Sequence, residues 1–274
     1  MGMLVLALVA LLLCGWWISQ PWRLAWRRAR IARRPFPAAW RAILRRRVPL
    51  VQRLPVDLQL RLKGLIQVFL AEKSIVGCAG LTVTDEVRVT IAAQACLPLL
   101  GRPRGFYPEL SSVLVYPGAF VVDRLQQDGL LQRHDRRVLT GESWSRGQVV
   151  LSWDHVRGEA GQPDGGSNVV VHEFAHQLDQ AGGAANGAPW LPGAWWRRRW
   201  SQVWNQAYAQ ASARRAQGDE GELMGDYALS APAEFFAVAS ERFFGASTEL
   251  ARQYPTLHAE LRRYYGVDPR LWQA

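Results

Sequence analysis

An α+β fold, mostly helical with one small sheet ahead of a central helix, is what this sequence predicts, and three observations predict it. Apolar residues recur at helical spacing over much of the chain after residue 56. Val-rich segments bounded by Gly and Pro are few and lie in the middle of the chain. They precede the five residues His172-Glu173-Phe174-Ala175-His176, which sit in a strongly apolar helical stretch. With 274 residues and 49% hydrophobic content, the chain can build one sizeable core.

The N-terminal elements come first. Residues 1–22 carry no charged side chain, and 3–18 are almost wholly apolar. A 22-residue helix spans ~33 Å, against a hydrocarbon core of ~30 Å. Residues 1–22 are therefore expected to be a transmembrane anchor, with Trp16, Trp17 and Trp22 as its interfacial belt. Residues 21–56 then hold eleven arginines (positions 23, 27, 28, 30, 33, 34, 41, 45, 46, 47 and 53) and no acid. By the positive-inside rule, the expected location is the bacterial inner membrane, single-pass, with the rest of the chain cytoplasmic. A cleaved signal peptide fits less well: no charged side chain precedes the apolar run and no small-x-small site closes it. Residues 23–54 read as an arginine-rich juxtamembrane connector. Residues 23–53 should attract anionic membrane lipid, at about 1 kcal/mol per arginine near the surface.

Charge is thus localised. The net charge is +10, and removing those eleven arginines leaves −1 for the rest. The body, residues 55–274, is not basic, so no direct nucleic-acid partner is expected. Arg197-Arg198-Arg199 is a local exception that reads as the solvated face of a helix. The three cysteines, Cys14, Cys78 and Cys96, give neither a disulfide framework nor a thiolate metal site, and suit a reducing compartment.

In the body, residues 57–73 read as an amphipathic helix, 81–84 as a short strand and 85–100 as a helix. Ser112–Tyr116, 120–122 and 148–153 read as strands. Helices follow at 168–180, about 193–214, 231–244 and 255–265, with Gly-, Ala- and Pro-rich loops at 158–166 and 181–192.

The chemistry centres on the helix at 168–180. Asn168 or Ser167 can cap its start, and Gly182-Gly183 can end it. His172 and His176, at i and i+4, lie on one face, where two imidazoles can bind one Zn²⁺. Glu173 is rotated by roughly 100° from His172, near the metal without being forced to ligate it. That is where a general base for a water activated by the metal belongs. A third ligand is needed. The metzincin pattern would require Gly at 179 and His at 182; the chain has Asp179 and Gly182, which excludes that class. The alternative is an acid on the helix at 231–244, where Ser230 can cap and Pro232 suits the first turn. Glu234 in that first turn is either the ligand or a carboxylate favoured by the helix dipole; the incomplete site upstream favours the ligand. Glu241, seven residues on, shares its face. It either supports a ligand from behind or makes an ordinary salt bridge. Asp179, three residues past His176 at an unfavourable end of the helix for an acid, is expected to accept a ligand imidazole's free N–H. Tyr227 either donates its hydroxyl to a developing oxyanion or packs against the lead-in to the next helix.

These stretches together resemble a known family. Residues 168–179, Asn-Val-Val-Val-His-Glu-Phe-Ala-His-Gln-Leu-Asp, and 232–241, Pro-Ala-Glu-Phe-Phe-Ala-Val-Ala-Ser-Glu, are similar to the MtfA (Mlc titration factor A) family of bacterial zinc peptidases. Residues 69–73, 91–98, 113–117 and 141–144 fit it as well, so the resemblance runs from about residue 55 to the C-terminus. It implies a gluzincin-type zinc peptidase domain with a fold akin to the catalytic domain of anthrax lethal factor. It implies one Zn²⁺ per chain on His172, His176 and Glu234, with Glu173 as general base and Tyr227 as catalytic tyrosine. It also implies aminopeptidase action on short peptides, linked to regulation of sugar uptake. In such peptidases the strand beside the metal helix often pairs with extended substrate, which makes Leu151, Ser152 and Trp153 the candidate substrate strand. The competing function is a regulator-titrating protein in which zinc is structural and a Mlc-like transcriptional repressor is the partner. Glu173 separates the two, because a binding module needs no base.

Overall fold

A computed structural model of the protein describes residues 2–102, 106–128, 131–139, 141–144, 147–162 and 166–272. The chain opens with α1 (Gly2–Ile18) and α2 (Gln20–Ala32), which meet at Ser19. The break has a local cause: Pro21 has no N–H to carry the helical ladder across the junction. The 17 residues of α1 reach only ~26 Å, short of a ~30 Å hydrocarbon core. No helix among the described residues is long and apolar enough to cross a membrane. This overturns the transmembrane anchor expected over 1–22, and with it the single-pass inner-membrane location and cytoplasmic orientation drawn from the arginine run. The expectation counted residues on both sides of Pro21 as one helix.

Residues 23–54 pack onto the body. After α2 come α3 (Ala38–Arg47) and α4 (Leu50–Arg53). Phe36, Leu44, Val48, Leu50, Val51 and Leu54 belong to the hydrophobic core. Some of the arginines are used internally. Arg28 grips Glu72 of α5 (Val56–Glu72) through two nitrogens, at 3.0 and 2.8 Å, and Arg46 and Arg47 share Glu86.

The sheet is small and lies before the metal-motif helix, as the pattern predicts. β1 (Ser74–Gly77) leads into α6 (Asp85–Cys96), whose start is capped by the Thr84 hydroxyl, and a 3₁₀ turn (Leu97–Leu99) follows. β2 (Ser112–Tyr116) precedes an antiparallel pair, β3 (Phe120–Asp128) and β4 (Leu131–Leu139). β5 (Gly141–Trp144) and β6 (Gln148–Ser152) complete the main sheet, in the order β1-β2-β6-β5. β1, β2 and β6 run parallel; β5 runs antiparallel to β6. The strand expected at 81–84 is instead β1, seven residues earlier, because Thr84 is committed to capping α6. The strand expected to end at Trp153 ends at Ser152, where α7 (Trp153–Ala160) begins and absorbs part of the loop expected at 158–166.

The C-terminal half is helical: α8 (Val169–Gln180), α9 (Ala194–Ala216), α10 (Gly225–Ala228), α11 (Pro232–Gly245), α12 (Ser247–Gln253) and α13 (Pro255–Tyr265). Thus the fold is α+β and mostly helical. α8 is buried from Val169 to Asp179 and packs against α11, α6 and the sheet. Phe174 anchors it, with its ring 4.8 Å from Tyr107 and 5.6 Å from Phe69. An aromatic cluster fixes α9 beside α11: Trp200 stacks on Trp204 at 4.7 Å, and both meet Phe236. In the Arg197-Arg198-Arg199 run, Arg197 and Arg198 are exposed and Arg199 pairs with Glu260 at 2.8 Å.

Candidate metal centre

Two helices build the centre. α8 presents His172 and His176 one turn apart, and the first turn of α11 brings Glu234 up to both. His172 Nε2 lies 3.2 Å from His176 Nε2 and 3.1 Å from Glu234 Oε2; His176 Nε2 is 3.4 Å from the same oxygen. Three Lewis-basic atoms therefore converge on one point. Zn–N and Zn–O bonds of ~2.0–2.1 Å in a tetrahedron give edges of about 3.3 Å. The observed separations match those edges, so the donor set fits a tetrahedral Zn²⁺ with a fourth position free of protein. It is the one group of three or more metal-type side chains that close together among the described residues.

The support behind His172 is equally defined. Glu241 Oε1 lies 2.6 Å from His172 Nδ1, and Glu241 Oε2 accepts the Asn168 amide at 2.8 Å. With Nδ1–H donated to Glu241, Nε2 is the ring nitrogen turned to the cluster, and loss of its proton would give the tautomer a metal needs. The start of α8 is held from several sides. Asn168 caps Val171 N at 2.9 Å, and its amide group donates to Gln94 Oε1 at 2.8 Å; Glu159 Oε2 accepts Val169 N at 2.6 Å. Glu159 and Gln94 are supports that the sequence reading missed. Glu159 falls where a loop was expected, and Gln94 lies in an ordinary buried helix.

Electrostatics follow from burial and crowding. Burial lifts the Glu173 carboxyl to about 7, against the pull of His172 and His176 and with help from Glu234 and Glu241. Its Oε2 is buried without a hydrogen-bond partner, which leaves a basic oxygen beside the cluster. In the metal-free protein, burial disfavours charge on His172. Its bonds to Glu234 and Glu241 outweigh that and raise it to about 10. Burial likewise opposes the Glu234 anion, yet its hydrogen bonds from His172 and His176 hold it well below the usual carboxylate range. Tyr227, on α10, has its ring 5.8 Å from that of His172 and its hydroxyl directed at Glu234. Burial and the Glu234 charge keep that hydroxyl protonated. At 58% exposure, Tyr227 faces the open side of the cluster rather than the packed core.

Two expectations are corrected. Asp179 is buried, but its Oδ2 accepts Gly187 N at 2.7 Å, with the amides of Asn186 and Ala188 also turned toward the carboxylate. It ties down the 181–192 loop rather than an imidazole. Leu151, Ser152 and Trp153 do not form an accessible substrate strand. β6 is internal, hydrogen-bonded by β2 on one side and β5 on the other, so its backbone has no free edge. Leu151 is buried, the Ser152 hydroxyl meets His155 Nδ1 at 2.9 Å, and Trp153 opens α7. Sequence patterning marks a strand but not its rank in the sheet. The edge strands of this sheet are β1 and β5, and β5 packs against α8.

Comparison with known proteins agrees with this geometry. Residues 23–266 match the family model described as glucose-regulated metallo-peptidase M90. The uncharacterised protein slr2042 of Synechocystis is 37% identical over 251 residues, 91% of each chain. Mlc titration factor A of Escherichia fergusonii is 32% identical over 233 residues, 82% of this chain and 84% of that one. Mlc titration factor A of Pectobacterium atrosepticum is 33% identical over 247 residues, 85% and 89% of the two chains.

Proposed function

The chain belongs to the M90 family of glucose-regulated metallopeptidases, and from that premise we propose that it hydrolyses peptide bonds with Zn²⁺ on His172, His176 and Glu234 and with Glu173 as the general base. The observation that carries this reading is the convergence of three donor atoms beside a buried, unpartnered carboxylate oxygen. Zinc bound there supplies Lewis acidity toward the scissile carbonyl and lowers the pKa of a water. Glu173 accepts the proton of the attacking water and returns it to the leaving amine. A carboxyl held near neutrality by burial suits both directions of that transfer. Tyr227 donates its hydroxyl to the oxygen on which negative charge develops. Glu241 keeps the His172 lone pair directed at the site.

The substrate reading is an extended short peptide. β5, at the end of the sheet among the described residues, can add it as a further strand, and a glutamate third ligand on a helix downstream of the motif supports the gluzincin type. Aminopeptidase action, and a link to sugar uptake, rest on the resemblance to the relatives. Those relatives carry the name Mlc titration factor A, which supports a second reading: binding of a Mlc-like repressor, with zinc in a structural role. Glu173 favours catalysis, because its uncompensated burial serves no binding purpose that the structure supplies.

The test is zinc content together with cleavage of a peptide library. Peptidase action requires stoichiometric zinc, cleavage by the wild type and a loss of at least about 10²-fold in Glu173→Gln. Undiminished cleavage by that variant, or a wild type that binds zinc yet cleaves nothing, would reject the catalytic reading.

A further inference from the structure

We propose that the face formed by α1 and the outer side of α2 docks on an anionic phospholipid surface, as a peripheral contact and not as a crossing of the bilayer. Three observations carry it. First, α1 is apolar along its whole length, yet Met3, Val5, Leu6, Val9, Leu11, Leu12 and Leu13 are all exposed. Its packing contact is with α2. An apolar helix exposed on several sides is not a stable end state in water and needs a cover. Second, the exposed tryptophans stand where α1 passes into α2: Trp16, Trp17, Trp22 and Trp26 are each more than half exposed. Indole rings prefer the headgroup level of a lipid surface, with an apolar body on one side and water on the other. Third, the outer side of α2 is cationic.

A groove of about 610 Å³ there is lined by Arg23, Trp26, Arg27, Arg30 and Arg34, with Ile31 and Ala71 at its floor. Arg23 lies over the Trp16 ring at 3.7 Å and Arg30 over the Trp26 ring at 5.7 Å. Of the arginines between 23 and 34, Arg28 is the one paired with a carboxylate among the described residues, and it faces the body at Glu72. Among the described residues no carboxylate pairs with Arg23, Arg27, Arg30, Arg33 or Arg34. Their ligand is a layer of negative charge, and a guanidinium forms paired hydrogen bonds with phosphate oxygens.

Apolar helix, tryptophans and cationic groove therefore lie along a single surface, and together they match the chemistries met by an element lying in the plane of a lipid interface: acyl boundary, headgroup level and phosphate charge. A soluble acidic protein would satisfy the arginines but would leave α1 uncovered. A second copy through α1 would cover the apolar helix but would bring two arginine clusters together. An anionic lipid surface satisfies both.

The experiment is flotation of the full-length chain with vesicles of phosphatidylcholine alone or with phosphatidylglycerol added, at low and high salt. The expected result is capture by the anionic vesicles, weakened by salt. Joint replacement Arg23→Gln, Arg27→Gln, Arg30→Gln and Arg34→Gln should weaken it by at least roughly tenfold. The four matching Lys substitutions should largely restore it. Unchanged peptidase activity and circular dichroism of the Gln variant will show that its fold is intact, since none of the four residues touches the metal cluster. Equal binding to neutral and anionic vesicles, or undiminished binding by the Gln variant, would overturn the proposal. So would a stable dimer that excludes lipid, because a second copy would then be the cover for α1.

Discussion

Glu241 joins a metal-site imidazole to the beginning of the helix that carries it. One carboxylate oxygen lies 2.6 Å from His172 Nδ1; the other accepts the backbone N–H of Asn168 at 2.8 Å. Asn168 is itself the cap of α8. The side chain that orients the ring therefore also holds the position of the ring's helix, and α11 supplies both this support and the Glu234 oxygen from one face, seven residues apart.

Removing that clamp should loosen metal binding more than it harms the fold. Glu241→Gln keeps the shape but cannot accept from two N–H groups with equal strength. Zinc affinity is expected to fall about 10–100-fold, read by competition with a chelator. Unchanged affinity would show that His172 holds its orientation without this carboxylate.

Glu173→Gln should leave zinc in place and lower turnover by about 10²–10⁴-fold, the range for loss of general acid–base transfer. Single-turnover cleavage and zinc analysis on the same sample separate the two effects. Loss of zinc would instead make Glu173 part of the metal site.

Tyr227→Phe removes one hydroxyl from a half-exposed ring. If that hydroxyl acts on developing charge, kcat falls while KM changes little, by roughly 10²–10³-fold at most. An unaltered kcat would leave the hydroxyl's contact with Glu234 as its whole role.

Gly187→Ala tests how the two metal-site helices are joined. Gly187 has φ +76°, and a Cβ there would lie 2.5 Å from the Pro232 carbonyl, at the start of α11. Its N–H is held by Asp179 at 2.7 Å, and its carbonyl accepts Trp200 Nε1 at 3.0 Å. The substitution should cost about 1–3 kcal/mol and weaken zinc retention by moving Glu234. A melt unchanged from the wild type would show that the loop can yield without disturbing α11.

Away from the centre, His258 makes stability depend on pH. Burial, with Arg270 and Arg262 nearby, lowers it to about 4 despite Asp268, against an ordinary value near 6.5. The unfolded chain therefore binds the extra proton between those values. Stability is fully present above about 6.5 and is lost as pH falls toward 4. Denaturant unfolding at several pH values should show this loss in the wild type and a smaller one in His258→Gln. Equal slopes would assign the effect to other groups. The Ser247 hydroxyl, 2.9 Å from His258 Nε2, should then be checked for a compensating shift.

Sequence alone determined those parts of the molecule that depend on neighbours along the chain. The helical spacing of His172 and His176, the Asn168 cap and the Pro232 start of α11 are local, so they were legible, as was the α+β class. Glu234 could be named as a candidate because the two histidines leave a donor set that an acid on a later helix can complete. What lies between elements was not legible. Asp179 faces Gly187 rather than an imidazole; Leu151 and Ser152 fall inside the sheet rather than on its edge, and Trp153 opens α7. Glu159 and Gln94 reach α8 from elements whose position no periodicity encodes. The end of α1 is written locally in Pro21, whose missing N–H interrupts the helical ladder beyond the apolar run. The physical reason is common to all of these. Backbone hydrogen bonds within a helix are set by residues three or four apart, whereas strand rank, buried carboxylate partners and loop anchors are set by which distant groups packing brings within ~3 Å.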